Sequence, residues 1–310
     1  MAVSELMKLT IAPIPFHWDA QTKLDFYARI ADEAPVDVVH IGEVICSKRA
    51  PFFEKHYDTV AERLTRGGKT VVFSTLAEVM LPRERKMIAS YCAPSELLLE
   101  INDSSALWHL EGRPFRVGPL MNVYNEATMA YLAGLGATHF SLPAELPASS
   151  AAILAATAKS LGVTTEVQVF GRASLALSAR CYHARAHNRI KDNCQFVCEE
   201  DPDGMPLKTL DSEDFLIVNG IQTMSNSYVN LLPELEDIRD MGITHVRLVP
   251  HTQDMVAISR IFHRVIAGDL SPDEAERTLA TLNIPAPFSN GFWYGAPGHQ
   301  RLAHKPVAAA

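Results

Sequence analysis

At 310 residues the chain is long enough for one large α/β domain or two ordinary ones, and it needs neither disulfides nor a metal merely to stay folded. It is 47% hydrophobic and 21% charged, which excludes a largely disordered chain. With 28 basic against 36 acidic side chains the formal charge is −8, which argues against a nucleic-acid binder that relies on phosphate contacts. No run reaches the roughly eighteen apolar residues of a membrane-spanning helix. Pro13 and Pro15 break the N-terminal stretch where a signal peptide would be helical, so a cytoplasmic chain is expected. Five cysteines in a reducing compartment then direct attention to metal ligation or redox chemistry rather than to a disulfide framework.

Taken in chain order, the apolar and β-branched runs predict eight strands: Leu9–Pro13, Val36–Gly42, Lys69–Thr75, Leu97–Ile101, Phe115–Gly118, His139–Leu142, Thr164–Phe170 and Thr244–Pro250. Amphipathic stretches separate all but the fourth and fifth, and several close on glycine: Gly67 and Gly68 before the third strand, Gly134 and Gly136 before the sixth, Gly162 before the seventh. VDVVHIG and TVVFST are apolar at most positions, as strands covered on both faces should be. The expectation is a (β/α)8, TIM-barrel-like α/β domain, with a doubly wound open sheet as the competing arrangement.

About seventy residues separate the seventh strand from the eighth, where a barrel needs only a turn and one helix. This insertion, 172–243, carries three cysteines. It also holds a DPDG turn at Asp201 to Gly204 and two short predicted strands, Leu207–Leu210 and Phe215–Val218. Residues 1–295 are read as one domain including the insertion, and 296–310 as a flexible C-terminal tail.

Cys181, Cys194 and Cys198 give C-x12-C-x3-C within CYHARAHNRIKDNCQFVC. Grouped thiolates are the usual ligands of zinc or an iron–sulfur cluster, and a fourth ligand is then required. Cys46 follows the second strand, and ligands in a barrel gather at the C-terminal ends of strands. Cys92 ends an outer helix, where a single thiol normally packs as a small hydrophobe. Lys48, Arg49, Arg180, Arg185, Arg189 and Lys191 flank the thiols and would offset a negative cluster, although basic residues are also ordinary on a solvated loop. Zinc prefers two tight ligand pairs, and only Cys194 and Cys198 resemble one; His183 and His187, four apart, leave a mixed His/Cys site open. His40, His139 and His245 lie in predicted strands and read as structural. Glu166 and Gln168, two apart on the seventh strand, point the same way, either toward a substrate at the barrel mouth or into a polar interior layer.

HExxH, G-x-S-x-G and a Gly-rich strand-to-helix fingerprint are all missing. Gly68-Lys69-Thr70 only mimics the end of a phosphate-binding loop, because it leads from helix into strand.

The run EVQVFGRASLALSARCYH, Glu166 to His183, resembles the signature of the collagenase-like peptidase family, in which E-x-F-x2-G-S/A-x-C-x4-G-x-C follows a barrel strand. Glu166, Gly171 and Cys181 agree, whereas Gln168, Arg172, Ser174 and Ala179 depart from it. The C-x12-C-x3-C spacing is similar to that of one branch serving ubiquinone biosynthesis. GEVICSKR, FSTLAEV, MNVYNEAT, VNGIQTMS, VRLVP and NGFWYG extend the likeness over nearly the whole chain. That resemblance implies a [4Fe–4S] protein ligated by Cys46, Cys181, Cys194 and Cys198. It further implies a heterodimer with UbiU, an accessory protein UbiT, and O2-independent hydroxylation of a ubiquinone precursor with prephenate as oxygen donor. Peptidase activity and a zinc-stabilised scaffold without enzymatic function are the alternatives.

Overall fold

The computed structural model describes residues 7–93 and 96–305. Its strands are β1 (Lys8–Ile11), β2 (Val38–Ile41), β3 (Thr70–Ser74), β4 (Leu99–Ile101), β5 (Phe115–Val117), β6 (Ala137–Ser141), β7 (Thr164–Leu177), β8 (Met205–Lys208), β9 (Asp214–Asn219), β10 (Gln222–Asn230), β11 (His245–Leu248) and β12 (Phe288–Ser289). The first seven pair in sequence order, each parallel to the next. β11 then pairs parallel with both β7 and β1, His245 facing Glu166 on one side and Lys8 on the other. That double pairing closes an eight-stranded parallel barrel and removes the open-sheet alternative; all eight strands expected for the barrel lie in it.

Alternation along the barrel strands sorts the side chains. Leu9 and Ile11, Val39 and Ile41, Leu99 and Ile101, Phe115 and Val117, Val167 and Val169, and Val246 and Leu248 all join one continuous apolar core. The helices cover it. Ala20–Glu33 is started by Asp19, whose carboxylate accepts from Thr22 N at 2.9 Å, and Met255–Ile266 by Asp254, which accepts from the amides of Val256 and Ala257. The intervening strand positions, Thr10, His40, Ser74, Glu100, Ser141, Glu166 and Arg247, are polar and nonetheless buried. They fill the inside of the barrel, a place that branched aliphatics usually occupy.

The seventh strand does not stop at Phe170 but runs on to Leu177. Gly171, at φ +103°, marks the departure: its pairing with β11 ends at Phe170, and a Cβ on it would meet Val249 O at 2.7 Å. Beyond that point β7 pairs antiparallel with β10, β10 with β9, and β9 with β8. The insertion is therefore a twisted ribbon continuing one barrel strand past the C-terminal mouth. β8 and β9 match the two short strands expected there, whereas β10 was not foreseen, because QTMSNSYVN carries too many polar residues to read as a covered strand.

Residues 296–305, expected to fray, are tied down. Leu302 N donates to Asn290 Oδ1 at 2.8 Å, Arg301 pairs with Glu276, and His304 with Asp237. The remaining five residues of that predicted tail lie outside the described residues. No helix among the described residues is long and apolar enough to cross a membrane.

Candidate functional site

Two adjoining sites lie at the C-terminal end of the barrel. The first is a pocket lined by Cys46, Cys181, Cys194 and Cys198 together with Lys48, Arg49, His183, Lys191, Phe196, Val197 and Gly220. Cys46 comes from the turn after β2, held by Glu43, whose Oε1 accepts from the amides of Ile45 and Cys46 at 3.0 and 2.9 Å. Cys181 caps the short helix Tyr182–Ala186, its sulfur accepting from Ala184 N at 3.4 Å. Cys194 and Cys198 follow on consecutive tight turns, with Phe196 in a left-handed conformation between them (φ +55°). Cys92 is apart from this group: it is buried at the C-cap of the outer helix Pro82–Tyr91, where Ile88 O accepts from its amide.

All five thiols are free. Burial raises the thiol pKa values of Cys46, Cys181 and Cys198, and the Arg49 guanidinium opposes that rise at each of them. Without a bound metal these sulfurs are protonated, so a cation entering the pocket must displace their protons.

Of the six basic residues flanking the thiols, the structure buries one. Arg49 is 1% exposed, its Nη1 donating to Pro15 O at 3.0 Å and its Nη2 to Asn219 Oδ1 at 2.9 Å. Lys48 and Lys191 line the pocket but are committed to Lys191 O and Glu78 Oε2. Arg189 reaches Cys194 O, while Arg180 and Arg185 face solvent. His183, fully buried, donates from Nε2 to Asp201 Oδ2, 2.9 Å away, and stacks on His187 at 5.7 Å between ring centroids.

Among the described residues, ligand atoms cluster within 4.8 Å of one another only in His183/His187/Asp201 and His40/Glu100/Glu166. No three of the sulfurs come that close. A tetrahedral Zn(Cys)4 site, with Zn–S of about 2.3 Å, needs sulfurs about 3.8 Å apart. Four cysteines lining one pocket are a donor set that a single soft ion or an iron–sulfur cluster can take. Two buried polar atoms on the pocket lining, Arg49 Nε and His183 Nδ1, have no hydrogen-bond partner. Such orphans are rare unless something not made of protein completes them.

The second site is the barrel mouth, a pocket of about 660 Å³ counting its open end. Its walls include Pro13, Pro15, Val44, Ile45, Leu120 and Met224; its floor is Glu100, Ser141, Glu166 and Arg247, with Gln168 and Arg172 at the side. Arg247 Nε donates to Glu166 Oε2 at 2.5 Å, and its Nη2 reaches Glu100, Ser141 Oγ and His40 Nε2. Ser74 Oγ adds a bond to Glu100 at 2.9 Å, and Ser141 Oγ one to Glu166 at 2.6 Å. Burial alone would raise both carboxyl pKa values. Arg247, helped by His40 beside Glu100 and by His139 beside Glu166, outweighs it and holds both well below the usual carboxylate range. The guanidinium in its midst makes the His40/Glu100/Glu166 group an ion-pair network rather than a metal site. Gln168 turns its amide Nε2 back on the carbonyls of Gly171 and Arg172, steadying the strand where it leaves the barrel.

The two sites share a wall. Val44 and Ile45 line the mouth and pack in one apolar cluster with Cys181, Ala184 and Ile221, to which Leu120, Leu177 and Cys194 add their edges. One layer of side chains thus separates the thiols from the barrel interior.

The profile of peptidase family U32 matches residues 23–302, nearly the whole chain. The chain belongs to peptidase family U32. Among solved structures, an uncharacterized B. cereus protein is similar at 10% identity and a TM-score of 0.41, over 91% of this chain and 66% of that one. A Clostridium thermocellum protein described as binding two copies of 5-methyl-5,6,7,8-tetrahydrofolic acid is similar at 10% identity and TM-score 0.41, over 89% of this chain and 97% of that one. For this U32 member the sequence pointed to the thiols and to Glu166. It did not single out Glu100 or Arg247, although one charge in each of the apolar runs LLLEI and HVRLV was a signal for it.

Proposed function

We propose that this chain is a UbiV-like [4Fe–4S] subunit of an O2-independent hydroxylase of the ubiquinone ring, working with UbiU, with UbiT as accessory and prephenate as oxygen donor. The observation that carries the reading is that Cys46 and the three insertion cysteines, far apart in sequence, line one pocket beside the barrel mouth while Cys92 stays outside it. In this reading the four thiolates hold the cluster, which supplies electrons one at a time. The chain's own residues do the rest. The turn fixed by Glu43 and the Cys181 helix cap orient the sulfurs, and Phe196 and Val197 exclude water from them. The apolar walls of the barrel mouth receive a ring, and the charged floor offers it fixed dipoles in a site shielded from water.

Anaerobic purification with the presumed partner tests this. A brown protein bleached by dithionite, with about four iron and four sulfide per chain, is expected. A colourless sample without iron sinks the proposal. Membership of family U32 supports peptidase activity as a second reading. Cleavage of denatured collagen by the iron-free chain, lost on substitution of Glu166, would favour that reading over the first.

A further inference from the structure

We infer that Arg49 sets the reduction potential of the cluster by placing a buried positive charge and an uncommitted Nε–H beside the quartet. The inference rests on the cluster reading above and adds to it a residue with a defined electrostatic task.

Arg49 is held in this place from several sides. Its backbone amide closes the turn on Cys46 O at 2.9 Å, so the guanidinium is projected from the same loop that delivers a sulfur. Two of its nitrogens are anchored on Pro15 O and Asn219 Oδ1, which leaves it little freedom to swing to solvent. Gly220 lets it pass: a Cβ there would lie 2.6 Å from Arg49 Nη2, and φ of +64° already favours glycine. The third nitrogen, Nε, is buried and has no hydrogen-bond partner among the described residues. The Arg49 guanidinium and the Cys198 thiol each favour the other's charged form, and the Cys46 sulfur acts on Arg49 in the same sense. The nearby Glu43 carboxylate is also negative, but its Oε1 is bound to the amides of Ile45 and Cys46, and Lys23, buried over the Phe53 ring, lies close to balance it.

A guanidinium has no physiological neutral form, so its charge is a constant of the site. A cluster with four thiolates becomes more negative on reduction, and both an N–H donor to sulfur and a fixed cation in a desolvated pocket stabilise that state more than the oxidised one. The sign follows: Arg49 raises the potential. Arg180 and Arg185 act weakly by comparison, since they face solvent, where their charge is screened, and the charges of Lys48 and Lys191 on the pocket lining are offset by Asp192 and Glu78.

The test is an EPR-monitored redox titration of the anaerobically purified full chain carrying Arg49→Gln or Arg49→Lys. Arg49→Gln is expected to keep its iron and shift the one-electron equilibrium at least tenfold toward the oxidised state, which is about 59 mV more negative. Arg49→Lys, retaining charge but not the planar fork, should shift it less. An unchanged potential in Arg49→Gln with full iron overturns the inference and leaves the cluster reading standing, whereas wild-type protein without iron overturns the cluster reading itself. If the variants fail to fold, pulsed EPR of reduced wild-type protein labelled with ¹⁵N-arginine decides the matter: a nitrogen coupling from one guanidinium supports it, and none refutes it.

Discussion

Replacing Arg247 with methionine removes the one guanidinium among the described residues that is bonded to both Glu100 and Glu166, and leaves two carboxylates, each 0% exposed, with only the unbonded Arg116 guanidinium nearby. Breaking a buried pair from one side costs about 3–5 kcal/mol. At an unfolding entropy of about 2.1 cal/mol/K per residue, a chain of this length melts about 5–8 °C lower for that loss. The pH dependence carries the sharper test. In the wild type the two carboxyl pKa values are depressed, so their contribution is present above the unfolded carboxyl pKa and is lost only as pH falls through the folded values. In Arg247→Met, burial is no longer outweighed and the folded pKa values rise above the unfolded ones, so the penalty should shrink as pH falls from 8 to 5. The triple variant that adds Glu100→Gln and Glu166→Gln should regain most of the lost stability. Calorimetry at pH 8 and pH 5 reads all of this. A deficit that grows on acidification, or a triple variant less stable than Arg247→Met, would show that the network does not carry its charge as described.

Burial pushes His17, His245 and His251 down to about 3, each with positive neighbours that lower it further. Neutral in the fold and titrating near 6.5 when unfolded, each should lose up to about 2 kcal/mol of stability between pH 7 and pH 5. Acid-induced melting that begins below pH 6.5 and is lessened in His251→Phe would bear this out. Gly171→Ala places a Cβ against Val249 O in a left-handed conformation and should destabilise the chain by about 1–3 kcal/mol, read as a fall in the denaturant midpoint. Cys46→Ala should abolish most iron binding while Cys92→Ala leaves it intact; iron assay after anaerobic reconstitution separates them, and full iron in Cys46→Ala would refute the ligand set.

The barrel was legible because hydrophobic periodicity is a local property: VDVVHIG and TVVFST read as covered strands from their own composition, and Gly67, Gly134 and Gly162 punctuate the helices between them. The thiol spacing was equally local, and it marked three of the residues that line the pocket. What could not be read was anything that depends on which segments meet. β7 continues past Phe170 because β10, more than forty residues later, pairs with it, and no window of sequence contains both partners. Glu100 and Arg247 looked like isolated charges in apolar runs until closure between β11 and β7 brought them together inside the barrel. Arg49 shared a short basic run with Lys48 and looked like any flanking cation. Only the tertiary fold buried one of the two, because desolvation and counter-charges are set by neighbours in space rather than in the chain.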